Sequence, residues 1–187
     1  MAIELSDQVR GALQALVDGL RVMRVDARWV PAAQWHLTVK FLGEVPDGEV
    51  AGVCAGVGRA GRESEPFELR TQGCGCFPPH GAVRIVWAGV EDLSGRLLNC
   101  VSAVEREMEK VGYPVEQRPF AAHVTIGRVK EDISRGKIRE AVQAAKLRSA
   151  EQNVEDLVVM SSILRPSGSE YSVVSRARLG AVEEGMR

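Results

Sequence analysis

The chain has 187 residues, 45% of them hydrophobic and 26% charged, and its 24 basic and 25 acidic side chains give a formal net charge of −1. This length predicts one compact domain or two small lobes that share an interface, and the composition is that of a globular protein with a buried core. The near-neutral charge excludes a broad cationic surface for long duplexes, so any contact with nucleic acid must be local.

No segment of the chain has the sequence of a membrane span or a secretion signal. The longest apolar runs fall well short of the about 18 residues needed to cross a bilayer, and the N-terminal sequence MAIELSD lacks a basic segment followed by an apolar one. We therefore expect a cytoplasmic protein with no membrane association. Its four cysteines are expected to be reduced thiols, because a domain of this size needs no disulfides to fold.

The first half of the chain alternates between helical and strand periodicity. A first helix is marked by Leu13, Leu16, Val17 and Leu20. Strict alternation then predicts a half-buried strand over residues 36–41. A second helix is marked by Val50, Val53, Cys54 and Val57. Runs of β-branched residues predict further strands at 67–71 and 83–90.

The second half repeats this mixture of elements. A third helix is marked by Leu93, Leu97, Val101, Val104, Met108 and Val111. Pro114 is expected to end it, because proline cannot continue a helix. A strand at 123–126, a weaker helix around 138–145 and a closing hairpin of strands 154–164 and 171–179 follow. No linker divides the chain, so we expect a single unit of class α+β.

One four-residue pattern occurs twice. Residues 36–39 read HLTV and residues 123–126 read HVTI, and the whole chain holds three histidines and three threonines. Two such coincidences among three histidines would arise by chance in roughly one sequence in a thousand. A single copy would most simply be a polar patch on a solvated strand, but the repetition favours a function.

The spacing within each copy indicates acid–base chemistry. Residues i and i+2 of a strand project from one face, so His36 lies beside Thr38 and His123 beside Thr125. If the two strands face each other across a cleft, two imidazoles and two hydroxyls converge on a phosphate-sized space. At neutral pH one imidazole can act as base and the other as acid, while neutral hydroxyls donate to phosphate oxygens. Such a site requires no metal and no cofactor.

The residues around both copies resemble the 2H phosphoesterase superfamily, and within it the RNA 2′,3′-cyclic phosphodiesterases of the 2′-5′ RNA ligase-like family. The three segments that carry the resemblance are WHLTVKFLGEV at 35–45, RPFAAHVTIGRV at 118–129 and SSILRPSGSEY at 161–171. The resemblance implies a bilobal α+β fold with pseudo-twofold symmetry. Two antiparallel sheets would form a V-shaped cleft with helices outside. Residues 1–187 would then be one catalytic domain, with the first motif at 36–45 in one lobe and the second at 123–132 in the other.

The resemblance also implies a reaction and assigns residues to it. Members of this family open a 2′,3′-cyclic phosphate to a 2′-phosphate without metal, and some join RNA ends through a 2′-5′ bond. Matching the motifs makes His36 and His123 the catalytic pair and places Thr38, Thr125 and Arg128 on the phosphate. Which histidine is the base stays open; we favour His123 activating water and His36 protonating the departing 3′ oxygen. The implied substrates are RNA with cyclic phosphate termini, tRNA fragments among them, or cyclic nucleotides, and the implied state is a monomer.

Three features depart from the pattern usual in that family. The chain starts at MAI, so the first strand is expected to be shorter than usual or the natural start to lie upstream. Ala122 stands where proline is common, and we expect activity to survive this change. Strict alternation would send Arg128 to the core side of its strand, so either Gly127 permits a bulge or the long side chain curls back. A solvated charge at the strand end is the alternative for Arg128.

The sequence also allows other interpretations. A non-catalytic module that binds RNA ends in the same cleft is the alternative to an enzyme. Residues 56–61 read GVGRAG, but this glycine pattern follows a helix instead of a strand, so we expect it to mark a frayed helix end. Aromatic candidates for stacking on bases, each with burial in the core as its alternative, are Trp29, Trp35, Phe77 and Tyr171.

Overall fold

A computed structural model describes residues 1–165 and 168–180. Four α-helices lie in this part of the chain, namely α1 (Asp7–Val22), α2 (Asp47–Glu63), α3 (Arg96–Lys110) and α4 (Lys137–Ala144). The strands are β1 (Ala2–Glu4), β2 (Arg28–Trp29), β3 (His36–Thr38), β4 (Phe67–Phe77), β5 (Ile85–Glu91), β6 (His123–Arg128), β7 (Glu151–Val154), β8 (Asp156–Arg165) and β9 (Gly168–Arg178). A single 3₁₀ turn at Ala32–Gln34 leads into β3.

The strands form two sheets in which every pair is antiparallel. The first sheet has the order β3-β1-β8-β9 and the second β2-β6-β5-β4-β7. Each sheet carries one of the two His-x-Thr strands, and β3 of the first sheet contacts β6 of the second. The α+β class with two antiparallel sheets is therefore confirmed.

The helices form where their apolar periodicity predicts them. Ser6 caps α1 by accepting a hydrogen bond from the backbone N–H of Val9. The apolar face of this helix, which includes Leu13 and Leu20, is buried. The third helix starts three residues later than predicted, because Asp92 accepts from the backbone N–H of Leu97 and leaves Leu93 outside the helix, 78% exposed. No helix in the described ranges is both long and apolar enough to cross a membrane.

The glycines at 56–61 do not end the second helix, so that prediction was wrong. They lie inside α2, which continues to Glu63. A Cβ on Gly56 would stand 2.7 Å from Met108 Cε of α3, and one on Gly61 3.0 Å from the carbonyl oxygen of Arg178. These glycines therefore let α3 and β9 pack closely against the helix.

The first sheet is built around a short N-terminal strand. Ala2 pairs with both Thr38 and Val158, so β1 joins the first motif to the closing hairpin. The hairpin of β8 and β9 is confirmed. Its pairing begins with Asp156 opposite Arg178 and ends with Arg165 opposite Gly168. Residues 166 and 167 of its predicted turn lie outside the described residues.

Candidate active site

Each motif begins at the first residue of a strand, β3 at the edge of the first sheet and β6 between β2 and β5 in the second. His36 is the first residue of β3 and His123 the first residue of β6. The residues between the polar ones, Leu37 and Val124, are fully buried, as strand alternation predicts. Because β3 and β6 are in contact, the fold brings the two His-x-Thr segments together from distant parts of the chain.

Both imidazoles are held by the same local hydrogen bond. Nδ1 of His36 lies 2.8 Å from the carbonyl oxygen of Gln34, and Nδ1 of His123 lies 2.7 Å from the carbonyl oxygen of Ala121. A carbonyl oxygen only accepts, so Nδ1 carries the proton in each ring. Neither Nε2 has a hydrogen-bond partner within residues 1–165 and 168–180. Each Nε2 is therefore available to take or give a proton.

The surroundings of His36 disfavour its charged form. The ring of Tyr171 on β9 meets it edge-on, with centroids 5.0 Å apart. Burial lowers the pKa of His36 below its usual value, the hydrogen bond to Gln34 opposes this, and the positive charge of Arg10 adds to the lowering. His36 without a ligand is therefore more readily neutral than a free histidine.

Aromatic rings support His123 on the second sheet. Phe77 lies edge-on to it at 5.1 Å between centroids and Trp87 at 6.4 Å. Trp87 fits there because its neighbour on β4 is Gly75, whose Cβ would stand 2.3 Å from the indole Cζ2. Sequence reasoning missed Trp87, although a glycine in strand register with it signals a large side chain lying across the sheet.

The hydroxyl groups next to the histidines have no hydrogen-bond partner among the residues that the structure describes. Within the described ranges, neither Thr38 nor Thr125 makes a side-chain hydrogen bond, and Thr38 is exposed. The third threonine behaves differently, since the Thr71 hydroxyl donates to the carbonyl of Arg148 and accepts from the N–H of Ala150. The threonines of the two motifs are thus free to donate to a ligand, whereas Thr71 is structural.

A cleft of about 1720 Å³ opens beside the motifs. Thr38 and His123 both line it, together with Phe77, Phe120 and Phe41. Strand alternation predicted Phe41 as part of a half-buried strand over residues 36–41, but β3 ends at Thr38 and Phe41 is 80% exposed on the cleft wall. This volume exceeds the about 300–1,000 Å³ of a typical small-molecule pocket.

A buried ion pair fixes the part of the first motif that follows β3. The Lys40 ammonium donates to Glu105 Oε2 on α3 at 2.5 Å and to the carbonyl of Pro114 at 2.8 Å. The same carboxylate accepts the backbone N–H of Glu116. Because both charges are shielded from water and hydrogen-bonded, the pair holds its place. It ties the first motif to the segment that leads into His123.

A β-bulge decides which way Arg128 faces. Trp87 pairs with Thr125 but Val86 pairs with Gly127, so Ile126 is an extra residue on β6. The bulge shifts the alternation by one and turns Arg128 to the face that carries Thr125. Of the two routes left open by the sequence, the strand takes the bulge.

The aromatic stacking candidates separate into two groups. Trp35 is 2% exposed in the core, and Trp29 covers Gly127, whose Cβ would stand 3.1 Å from its ring. Phe77 and Tyr171 each lie against one of the two histidines. Only the second pair is placed where it can meet a ligand of the motifs.

Sequence comparison identifies relatives over most of the chain. The family described as LigT-like phosphoesterase matches residues 3–87 and 89–171. An RNA 2′,3′-cyclic phosphodiesterase of Thermus thermophilus is 33% identical over 95% of this chain and 88% of its own length. A protein of the same name from Archaeoglobus fulgidus is 30% identical over 91% of this chain and 94% of its own.

Solved structures share the fold. The TT0787 protein of Thermus thermophilus superposes with a TM-score of 0.77 at 28% identity, covering 96% of both chains. Apo LigT of Escherichia coli superposes with a TM-score of 0.74 at 22% identity, covering 96% of this chain and 95% of its own. The resemblance drawn from the two motifs is confirmed, and the chain belongs to the LigT-like phosphoesterase family.

Proposed function

We propose that this protein hydrolyses RNA 2′,3′-cyclic phosphate ends to 2′-phosphates, as an RNA 2′,3′-cyclic 3′-phosphodiesterase. The observation that carries the proposal is the duplicated His-x-Thr strand, in which both imidazoles are fixed through Nδ1 and both hydroxyls are unpaired within the described residues. Two poised imidazoles and two neutral donors are what an in-line displacement at a phosphodiester requires. The relatives named above carry this activity in their names.

In this mechanism His123 is the general base. Its Nε2 takes a proton from water, the water oxygen attacks phosphorus, and the bond from phosphorus to the 3′ oxygen breaks. His36 gives its Nε2 proton to the departing 3′ oxygen, which leaves a 2′-phosphate and a 3′-hydroxyl. The hydroxyls of Thr38 and Thr125 donate to the non-bridging oxygens, and Arg128 supplies positive charge from the same sheet face.

Assigning the acid to His36 agrees with its surroundings once substrate is bound. Burial lowers its pKa in the free protein, which makes the imidazolium a stronger proton donor. The negative charge of the phosphodiester favours the protonated form at the moment it is needed. A second hydroxyl, such as the 5′-hydroxyl of another RNA, replaces the attacking water in 2′-5′ ligation, and we propose this as a side reaction of the same site.

RNA ends are the ligand that we propose for the cleft. Exposed Phe41 on the cleft wall offers a ring face for a base, and stacking of this kind is worth about 1–3 kcal/mol per base. Cyclic nucleotides are the smaller substrates that fit the same chemistry. We also propose that the enzyme is monomeric and cytoplasmic and that it needs no cofactor.

Turnover of a cyclic substrate in the presence of EDTA tests this function. Full-length protein is mixed with adenosine 2′,3′-cyclic phosphate and with a cyclic-ended oligoribonucleotide, and the product is identified by ³¹P NMR. We expect the 2′-phosphate with both substrates. Tight binding of the cyclic end by folded protein without conversion would instead establish the non-catalytic binding module.

A further inference from the structure

The chain between α3 and His123 forms one wall of the cleft. Residues 113–121, here called the cleft segment, contain neither a helix nor a strand, and most of them are exposed. Each of them lines the cleft. At the end of the segment the carbonyl oxygen of Ala121 holds Nδ1 of His123. The placement of the cleft segment therefore affects the imidazole that we propose as the base.

The Lys40–Glu105 ion pair supplies the hydrogen bonds that hold the cleft segment in place. Lys40 donates to the carbonyl of Pro114 at 2.8 Å, and Glu105 accepts from the N–H of Glu116 at 3.2 Å. Among the described residues, no other hydrogen bond joins residues 114–120 to another part of the chain. Exposed segments with few such bonds open easily, so the cleft segment depends on this pair to stay docked.

Lys40 is itself fixed to the first sheet. The backbone N–H groups of Val39 and Lys40 both donate to the carbonyl of Met1, which directly precedes β1. The side chain of Lys40 is 6% exposed and that of Glu105 14%, so water screens the two charges only weakly. The pair thus joins the first sheet to the cleft wall that ends at His123.

We propose that Lys40 and Glu105 are positioning residues, which hold the cleft segment so that His123 and His36 reach the same phosphate. This inference rests on the proposed function. Neither residue of the pair touches the phosphate in this account, because the threonines of the two motifs and Arg128 bind it. A catalytic group displaced by about 1 Å can lose about 100-fold in rate. Loss of the pair should therefore lower kcat and leave KM for a small substrate nearly unchanged.

The test compares two ion pairs that join α3 to other parts of the fold. Lys40→Met, Glu105→Leu and their double variant remove the proposed pair. The control Arg59→Met/Glu107→Leu removes a second pair, in which the buried Glu107 carboxylate accepts from Arg59 of α2 at 2.6 Å. We expect kcat for adenosine 2′,3′-cyclic phosphate to fall about 10- to 100-fold in the first three variants, with KM within about threefold of wild type. The control should keep kcat within about twofold.

Stability measurements separate positioning from folding. Each single variant leaves one buried charge without its partner and should melt at a lower temperature, whereas the double variant leaves neither charge and should regain much of the stability. Its kcat should nevertheless stay low. Recovery of kcat together with stability, or an equal fall of kcat in the control, would overturn the proposal. A rise in KM at unchanged kcat would overturn it as well.

Hydrogen exchange tests the role of the pair without turnover. The N–H of Glu116 should exchange at least about tenfold faster in Lys40→Met/Glu105→Leu than in wild type, and it should stay protected in the control. Unchanged exchange in the folded double variant would overturn the proposal. If wild type does not turn over the cyclic substrate, the proposed function fails, and the exchange rates alone decide whether the pair holds the cleft segment.

Discussion

Replacing either His36 or His123 with alanine is expected to lower kcat for cyclic-phosphate opening about 100- to 10,000-fold, the range that general acid or base catalysis contributes. Each ring is fixed by one backbone carbonyl, and within the described chain neither Nε2 is engaged elsewhere. No other histidine can substitute, because His80 lies exposed after β4. Single-turnover assays with a cyclic-ended oligoribonucleotide measure the loss at the chemical step.

His80→Ala is the matched control for this experiment. It removes an imidazole of the same chemistry from outside the two motifs and should leave kcat within about twofold, as surface substitutions away from a site usually do. Circular dichroism melts check that all three variants fold. Wild-type rates in folded His36→Ala or His123→Ala would contradict the assignment of the catalytic pair.

The pH dependence of the same enzymes separates the acid from the base. If His36 is the acid, kcat/KM must fall as the pH rises through its pKa in the free protein, which burial places below the usual value. That alkaline fall should disappear from the residual activity of His36→Ala. The pKa of His36 is measured separately by NMR. If kcat/KM instead rises as the pH passes this pKa, His36 is the base and His123 the acid.

Replacing Thr38 or Thr125 with valine is expected to lower kcat/KM about 10- to 1,000-fold each. The upper part of this range is the fall in rate seen when an enzyme loses one preorganised hydrogen-bond donor to developing negative charge. Valine has nearly the shape of threonine and lacks the hydroxyl. Since neither hydroxyl bonds to another described residue, the substitution breaks no hydrogen bond there. Steady-state kinetics with a dinucleotide that ends in a 2′,3′-cyclic phosphate measures the effect.

Thr71→Val is the control that shows the opposite behaviour. Its hydroxyl bonds to the Arg148 carbonyl and the Ala150 N–H, so its loss should lower the free energy of unfolding by about 1–3 kcal/mol. Its kcat should stay near wild type. Stability losses without rate losses in Thr38→Val and Thr125→Val would remove both residues from the phosphate site.

The repeated motif could be predicted from sequence because it depends on local rules. Period-2 alternation is sufficient to place each histidine beside its threonine and to bury Leu37 and Val124. The apolar periodicity of α1 is equally local. These parts of the fold agree with the expectation because the spacing of apolar residues within each element determines which face is buried.

Features that depend on strand pairing could not be predicted in this way. The extra residue Ile126 is defined by the register with β5, and it alone decides the face of Arg128 and of its partner Arg28. The position of Trp87 depends on a glycine in a neighbouring strand. Phe41 looks like a core residue by alternation, but its strand ends before it and leaves it on the cleft wall.

His36 and His123 are expected to act on one phosphate group. A crystal structure of the protein with bound inorganic phosphate or adenosine 2′-phosphate tests it most directly. We expect a single phosphate with oxygens at hydrogen-bond distance, about 2.6–3.2 Å, from both Nε2 atoms and from the hydroxyls of Thr38 and Thr125. A phosphate held by one motif alone, with the other imidazole out of reach, would show that the two histidines do not act on one phosphate.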